Sequence, residues 1–376
     1  MTKIVSTFKK YFTPSESDSP RNNNFNIIRF IAAFMVIYGH MGAIMGIAPF
    51  SIFSQSVSTI AVKIFFTISG FLVTKSFLSD SNFPRYMVRR CFRIFPALIF
   101  VVFVSAILIG PIFSYLSPSQ YFAHPFTRNY FLNILLHPSY SLPGVFENYV
   151  YPNTFNGSLW TLPVEFFTYL ILPPIILLLK KLKAMKTGIA VCAVISLVIS
   201  VLYITVFTSK RFVFWGSDWF QMLPLIPYFF IGSFYSLIEN KKFFNLQFGI
   251  ILTIIALFTN TVGGLNEIVV FIVIPYLILS IALCEKPLFS HWFEKCEFSY
   301  GIYLWGFPVQ QIVYHRLAGL GLNSFNMALI SFSCALVAAI VSWYAVEKPM
   351  MKLGQKIVRK MREKSSLRRA LKTDGE

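Results

Sequence analysis

Ten apolar runs alternate with short polar or basic links along the chain, near residues 26–47, 57–78, 97–116, 157–179, 187–207, 218–238, 246–259, 267–284, 298–314 and 325–346. Most hold about the 20 apolar residues that carry a helix across a bilayer, and the seventh is short. Backbone polar groups find no water in lipid, so such runs predict helices rather than open strands. The fold class expected is all-α: a polytopic membrane protein with about ten transmembrane helices. A polar leader (1–25) and a basic tail (350–376) flank one membrane domain (26–349). Residues 117–156, with Pro, Tyr and Asn but little charge, read as the main outer loop, re-entrant in part around 129–136.

Composition supports this class. Of 376 residues, 56% are hydrophobic and 13% charged, with a mean hydropathy of +0.65; soluble domains carry about 25% charged residues. A net charge of +18 would suit nucleic acid, but its placement points to topology. Of 33 Lys and Arg, 26 fall in the terminal segments and the links on their side. Four (Arg128, Lys210, Arg211, Arg316) fall on the other side, and Arg29, Lys63 and Lys75 lie within runs. By the positive-inside rule both termini are cytoplasmic. Membrane lipid is therefore an expected partner and nucleic acid is not. The tail reads as a topology anchor, with an anionic-lipid-facing segment as the alternative. Cys91, Cys192, Cys284, Cys296 and Cys334 form no CxxC or zinc-ligand pattern, so they read as structural thiols and no metal is expected.

Ionisable residues inside spans are costly and mark candidate sites. Arg29 and His40 are eleven residues apart in the first span, so they share a helix face to within about 20° and differ in depth by roughly 16 Å. Arg29 lies toward the cytoplasm and His40 toward the outer face. In the fourth span, NGSLWTLPVEFF places Glu165 roughly 12 Å below the outer surface, near the depth of His40. A His–Glu pair supplies a base and a group that orients it; the alternative is two helix-packing hydrogen bonders. Lys63, in the second span, either balances Glu165, meets another polar acceptor or snorkels outward. Ser69-Gly70 is a small pair suited to close helix packing. Asn156, Ser158 and Trp160, at the outer mouth, read equally as acceptor-binding groups or as helix cap and interfacial anchor. Arg85, Arg89, Arg90 and Arg93 cluster on the cytoplasmic side, where they suit a polyphosphate or serve as a topology anchor.

Read together, these segments resemble the acyltransferase 3 family of integral-membrane acyltransferases. The resemblance rests, in order, on Arg29–x10–His40, FFTISGFL (65–72), RRCFRIFP (89–96), LPGVF (142–146), NGSLWTLPVEF (156–166), PYFFIGSF (227–234), FSYGIYLWGFPVQQ (298–311) and VEKP (346–349). It implies transfer of an acyl group, usually acetyl, from cytoplasmic acyl-CoA to a hydroxyl of a glycan or lipid-linked saccharide, in a multi-pass protein of the inner or plasma membrane. It implies Arg29 and His40 as the functional pair, Glu165 as a further site, and Arg90 and Arg93, with Arg89 beside them, as the donor side. Two positions depart from the family pattern. Lys63 stands where an acidic residue is common, and Gly306 follows Trp305 where histidine is frequent, which leaves more weight on His40.

On this reading acetyl-CoA is the expected donor, with its phosphates on the arginines. A pantetheine arm, on the order of 15–20 Å, spans the Arg29–His40 rise. His40 then takes the acceptor's proton, or carries the acyl group itself. A transporter or flippase for a lipid-linked saccharide is the rival reading, with the buried charges as its path; the sequence shows none of the paired repeats with broken helices found in many transporters.

Overall fold

The computed structural model describes residues 24–207, 211–258, 263–284 and 297–373. Most of the leader and the segment 285–296, including Cys296, lie outside the described residues. Among those described, strand is confined to two-residue hairpins, β1 (Ser51–Ile52) with β2 (Gln55–Ser56) and β3 (Val213–Phe214) with β4 (Ser217–Asp218). Everything else of length is helix.

Helix α1 (Phe25–Met45) ends at Gly46, whose φ of 71° allows the left-handed stop. Helix α2 (Val57–Ser79) starts at Ser56, whose hydroxyl accepts from the Thr59 amide. Helix α3 (Phe83–Phe103) opens on Asn82 with Pro84 in its first turn. It continues through a π-helical turn, Val104–Ile109, to Phe113. The basic stretch expected to precede the third span is thus the cytoplasmic part of the same helix. The outer loop folds as two short helices, α4 (Pro118–Ala123) and α5 (Pro125–Tyr130), and a 3-10 turn, Phe131–Leu135, whose first ring stacks edge-on against Phe103.

A 3-10 turn, Gly157–Thr161, leads into α6 (Leu162–Lys181), followed by α7 (Met185–Val206). The sixth run is broken by Pro224 and Pro227 into α8 (Trp219–Met222), a 3-10 turn and α9 (Ile226–Tyr235). Helices α10 (Leu246–Phe258), α11 (Gly263–Ala282), α12 (Ser299–Leu317) and α13 (Ser324–Ser342) follow. A second π-helical turn, Trp343–Glu347, joins α13 to α14 (Lys348–Thr373), so the last span runs into the basic tail without a break. Eight of the described helices are long and apolar enough to cross a membrane. The sixth and ninth runs are helical too, one broken by proline and the other, α12, diluted by Gln310, Gln311, His315 and Arg316. This is a polytopic all-α membrane protein.

Its centre is the crossing of α2 and α9. A Cβ added at Gly70 would lie 1.9 Å from the Phe229 carbonyl oxygen, and one at Gly232 would lie 2.1 Å from that of Thr67. Two glycines therefore let the FFTISGFL and PYFFIGSF backbones touch, and the Ser233 hydroxyl donates to the Gly70 carbonyl. The large apolar side chains left exposed on α7, among them Ile195, Val198 and Leu202, form a lipid-facing surface.

Candidate active site

Two cavities border α2 and share Val62 in their linings. The first, of about 350 Å³, opens at the end of the bundle that carries the basic segments, the cytoplasmic end by charge. Its mouth is built by α3 and α14. Four arginines line it: Arg29 from α1, and Arg89, Arg90 and Arg93 from α3. Helical spacing puts Arg89 and Arg93 one turn apart and Arg90 beside them. Asp80, just past the end of α2, binds Arg85 in bidentate fashion and accepts from Arg89 at 3.0 Å. The hydrogen bonds from Arg85 most of all hold its carboxyl well below the usual range. Glu297 bridges Arg93 at 2.7 Å and Arg29 at 3.5 Å. Arg93 foremost, then Arg29, hold its carboxyl below the ordinary value against the opposing effect of burial. After these pairings Arg89 Nε and Nη2 and Arg90 Nε are still buried without a hydrogen-bond partner. Buried donors of this kind are expensive unless something accepts from them. The Arg90 guanidinium also lies over the Tyr86 and Tyr169 rings, at 5.9 and 5.8 Å.

Deeper in, the cavity ends on Glu165, Tyr169, Ser69, Thr161, Tyr303 and Val62. Tyr169 lies one turn after Glu165 on α6 and donates to its Oε1 at 2.5 Å, with the Ser69 hydroxyl 2.8 Å from the same phenol. Glu165 is thus engaged by Tyr169, and the expected His40–Glu165 pair does not form here. His40 packs edge-on against Phe307, ring centroids 5.4 Å apart, and its Nδ1 has no hydrogen-bond partner. It is absent from the cavity lining. The cause is local: the phenol at i+4 satisfies the carboxylate, and the Phe307 ring packs on the imidazole.

The second cavity, of about 490 Å³, lies toward the outer end, beside β1–β2. Lys63 and Trp160 line it, and Val62 lines both cavities. Lys63 is buried, and neither balances Glu165 nor snorkels. Its Nζ donates to Glu267 Oε2 at 2.6 Å and to Gln55 Oε1 at 2.8 Å. Tyr228 donates to the other Glu267 oxygen at 3.0 Å. Asn156 and Ser158 line neither cavity. Asn156 caps the Ser158 amide and donates to the Leu304 carbonyl, and the Ser158 carbonyl accepts from Tyr303. Both therefore pin the Gly157–Thr161 turn to α12. Sequence reasoning missed Glu267 and Glu297. Each stands at the edge of an apolar run, where an acid reads as a span boundary, and its cationic partners are far away in the chain.

Comparison with known proteins assigns the family. A family model described as an acyltransferase domain matches residues 22–348. The chain belongs to the acyltransferase 3 family. This acyltransferase is 31% identical over 336 residues to the O-acetyl transferase of Shigella phage Sf6, covering 87% of this chain and 96% of that one. It is 26% identical to nodulation protein 10 of Rhizobium leguminosarum bv. viciae, over 92% of this chain and 97% of the relative. A third relative, also 26% identical, is the peptidoglycan O-acetyltransferase OatA of Listeria monocytogenes serovar 1/2a, matched over 78% of this chain but 51% of its own length. No solved structure matches the chain.

Proposed function

We propose that the acyltransferase moves an acetyl group from cytoplasmic acetyl-CoA to a hydroxyl of a glycan or lipid-linked saccharide presented from the outer side. The observation that carries this reading is the set of unpartnered guanidinium nitrogens on Arg89 and Arg90 at the mouth of a cavity leading to the middle of the bundle. Guanidinium suits phosphate oxygens in number and geometry of donors, and a carrier with several phosphates answers the cluster better than a small anion. Arg29, farther in, serves the acyl-bearing arm.

In the reaction the acceptor oxygen bonds to the thioester carbonyl carbon, the carbon–sulfur bond breaks, and the hydroxyl proton passes by way of a base to the leaving thiolate. His40 is the base that the family resemblance implies; in this conformation it lines neither cavity and packs on Phe307, so it acts only after its ring leaves that contact. Glu165 holds Tyr169 and Ser69 in one hydrogen-bonded chain at the inner end of the donor cavity, which Arg29 and Arg90 also line. The hydroxyl approaches from the outer cavity, across the partition made by Val62, Trp160 and Thr161.

The test is transfer of labelled acetyl from acetyl-CoA by the purified, detergent-solubilised protein to a panel of glycans, with His40→Ala compared at equal folding. Turnover by the wild type that vanishes in the variant supports the reading. A folded wild type that neither binds acetyl-CoA nor transfers would sink it and favour a saccharide transporter that uses Lys63, Glu165 and Glu267 as its path.

A further inference from the structure

The outer cavity has a chemistry of its own. Two of its lining residues carry charge, Lys63 and Glu267, and they neutralise each other at 2.6 Å with both side chains 2% exposed. The rest of its polar wall is amide and hydroxyl: Gln55, Asn266, Gln221, Ser54 and Thr59. These groups are tied together. Gln55 donates to Asn266 Oδ1 at 2.8 Å and to Glu267 Oε2 at 3.2 Å, while Asn266 donates to the Phe53 carbonyl at 2.6 Å. Hairpin β1–β2 is thereby fastened to the start of α11. Trp160 supplies an aromatic wall beside Val62, next to the donor cavity.

We propose that this cavity binds the acceptor and that it takes an uncharged sugar ring, an inference that rests on the acyltransferase reading above. An indole face covers the apolar face of a pyranose; the Gln221 amide and the remaining lone pair of the Gln55 oxygen, which accepts one bond from Lys63, meet its hydroxyls. The charge balance excludes ionised sugars. A carboxylate ligand would find its one lining ammonium already held by Glu267 and Gln55. An amino sugar would find the Glu267 oxygens already taken by Lys63, Gln55 and Tyr228. Either would be desolvated without a free counter-charge. Val62 and Trp160 then place a hydroxyl of the bound ring at the partition, where the acyl group arrives from the other side.

The experiment uses saturation-transfer NMR on the full chain in detergent. The probes are neutral methyl glycosides (glucoside, galactoside, mannoside and a 6-deoxy sugar), a methyl glucuronide and a methyl glucosaminide. At least one neutral glycoside is expected to bind and the charged ones are not, with its Kd raised roughly tenfold in Trp160→Ala, the loss of one stacked ring. Gln55→Ala, on the hairpin, provides the same test should the tryptophan variant misfold. Preference for the glucuronide or glucosaminide overturns the proposal. So does silence from every glycoside, or neutral binding unchanged in both variants. Acetyl-CoA binding is measured on the same samples: its absence from the wild type fails the donor reading alone, while the glycoside results decide this one.

Discussion

Trp160 and Thr161 are neighbours in the chain, yet they line different cavities, Trp160 the outer and Thr161 the cytoplasmic one. The turn that carries them is locked to α12 by three contacts: Asn156 to the Leu304 carbonyl, Tyr303 to the Ser158 carbonyl, and Thr161 to the Tyr303 hydroxyl at 2.6 Å. With Val62, this turn lies between the arginine-lined cavity, where we propose the donor binds, and the outer cavity, where we propose the acceptor binds.

Val62 lines both sides, so its size controls the partition. Val62→Phe should lower acetyl transfer to a glycan acceptor by tenfold or more while acetyl-CoA affinity changes little. Parallel measurement of transfer rate and donor Kd checks this. A transfer rate that is unchanged, or that falls only as far as donor Kd rises, would refute the partition role.

The α2–α9 crossing depends on Gly70. Its added Cβ at 1.9 Å from a backbone oxygen has no flexible side chain to displace. Gly70→Ala should therefore destabilise the detergent-purified protein by roughly 1–3 kcal/mol, the range for overpacking a close contact. Thermal unfolding followed by size-exclusion fluorescence would show a clear drop in midpoint.

Glu297 makes a pH prediction. Its folded-state value lies below the ordinary 4.5 because of Arg93 and Arg29. A lowered carboxyl adds stability that is fully present above the unfolded value and is lost as pH falls through the folded one. Glu297→Gln should thus unfold at lower temperature than wild type at pH 7. The gap should stay constant down to about pH 4.5 and close below it. A gap that closes instead between pH 7 and 5 would refute this assignment.

Helix α14 forms part of the wall of the arginine-lined cavity rather than a free tail. Met351, Gly354 and Gln355 line the cavity, Gly354 packs on the Phe92 ring, and Arg362 reaches Asp80 at 3.4 Å. Truncation after residue 349 should weaken acetyl-CoA binding severalfold. Gln355→Ala, which leaves the helix in place, should do so to a lesser degree. Equilibrium binding on both variants checks this.

Much of this was legible in the sequence. The apolar runs gave the spans, because a helix in lipid must satisfy itself locally. The arginine cluster was legible from helical spacing, and Ser69-Gly70 from the small size that a close crossing needs. Pairing across the bundle was not. Lys63 meets Glu267 across 204 residues, and no local pattern links them. The expected His40–Glu165 pair rested on equal depth, which places two groups in one layer of the membrane but leaves their direction within it open. Tyr169, one turn along α6, and Phe307, from α12, decided that direction. For Asn156 the sequence left acceptor binding and capping equally open; the cap is what forms, because its amide is within reach of both its own turn and the Leu304 carbonyl.

The central claim is that acetyl-CoA is held by the arginines of the cytoplasmic cavity. The most direct measurement is equilibrium binding of acetyl-CoA to the purified wild type and to Arg90→Ala, each checked for folding, at two salt concentrations. The expected result is saturable binding by the wild type, a Kd at least tenfold higher in the variant, in line with the loss of a charge-assisted phosphate contact, and a smaller salt dependence in the variant. Absence of binding by the folded wild type, or an unchanged Kd in Arg90→Ala, would contradict the claim.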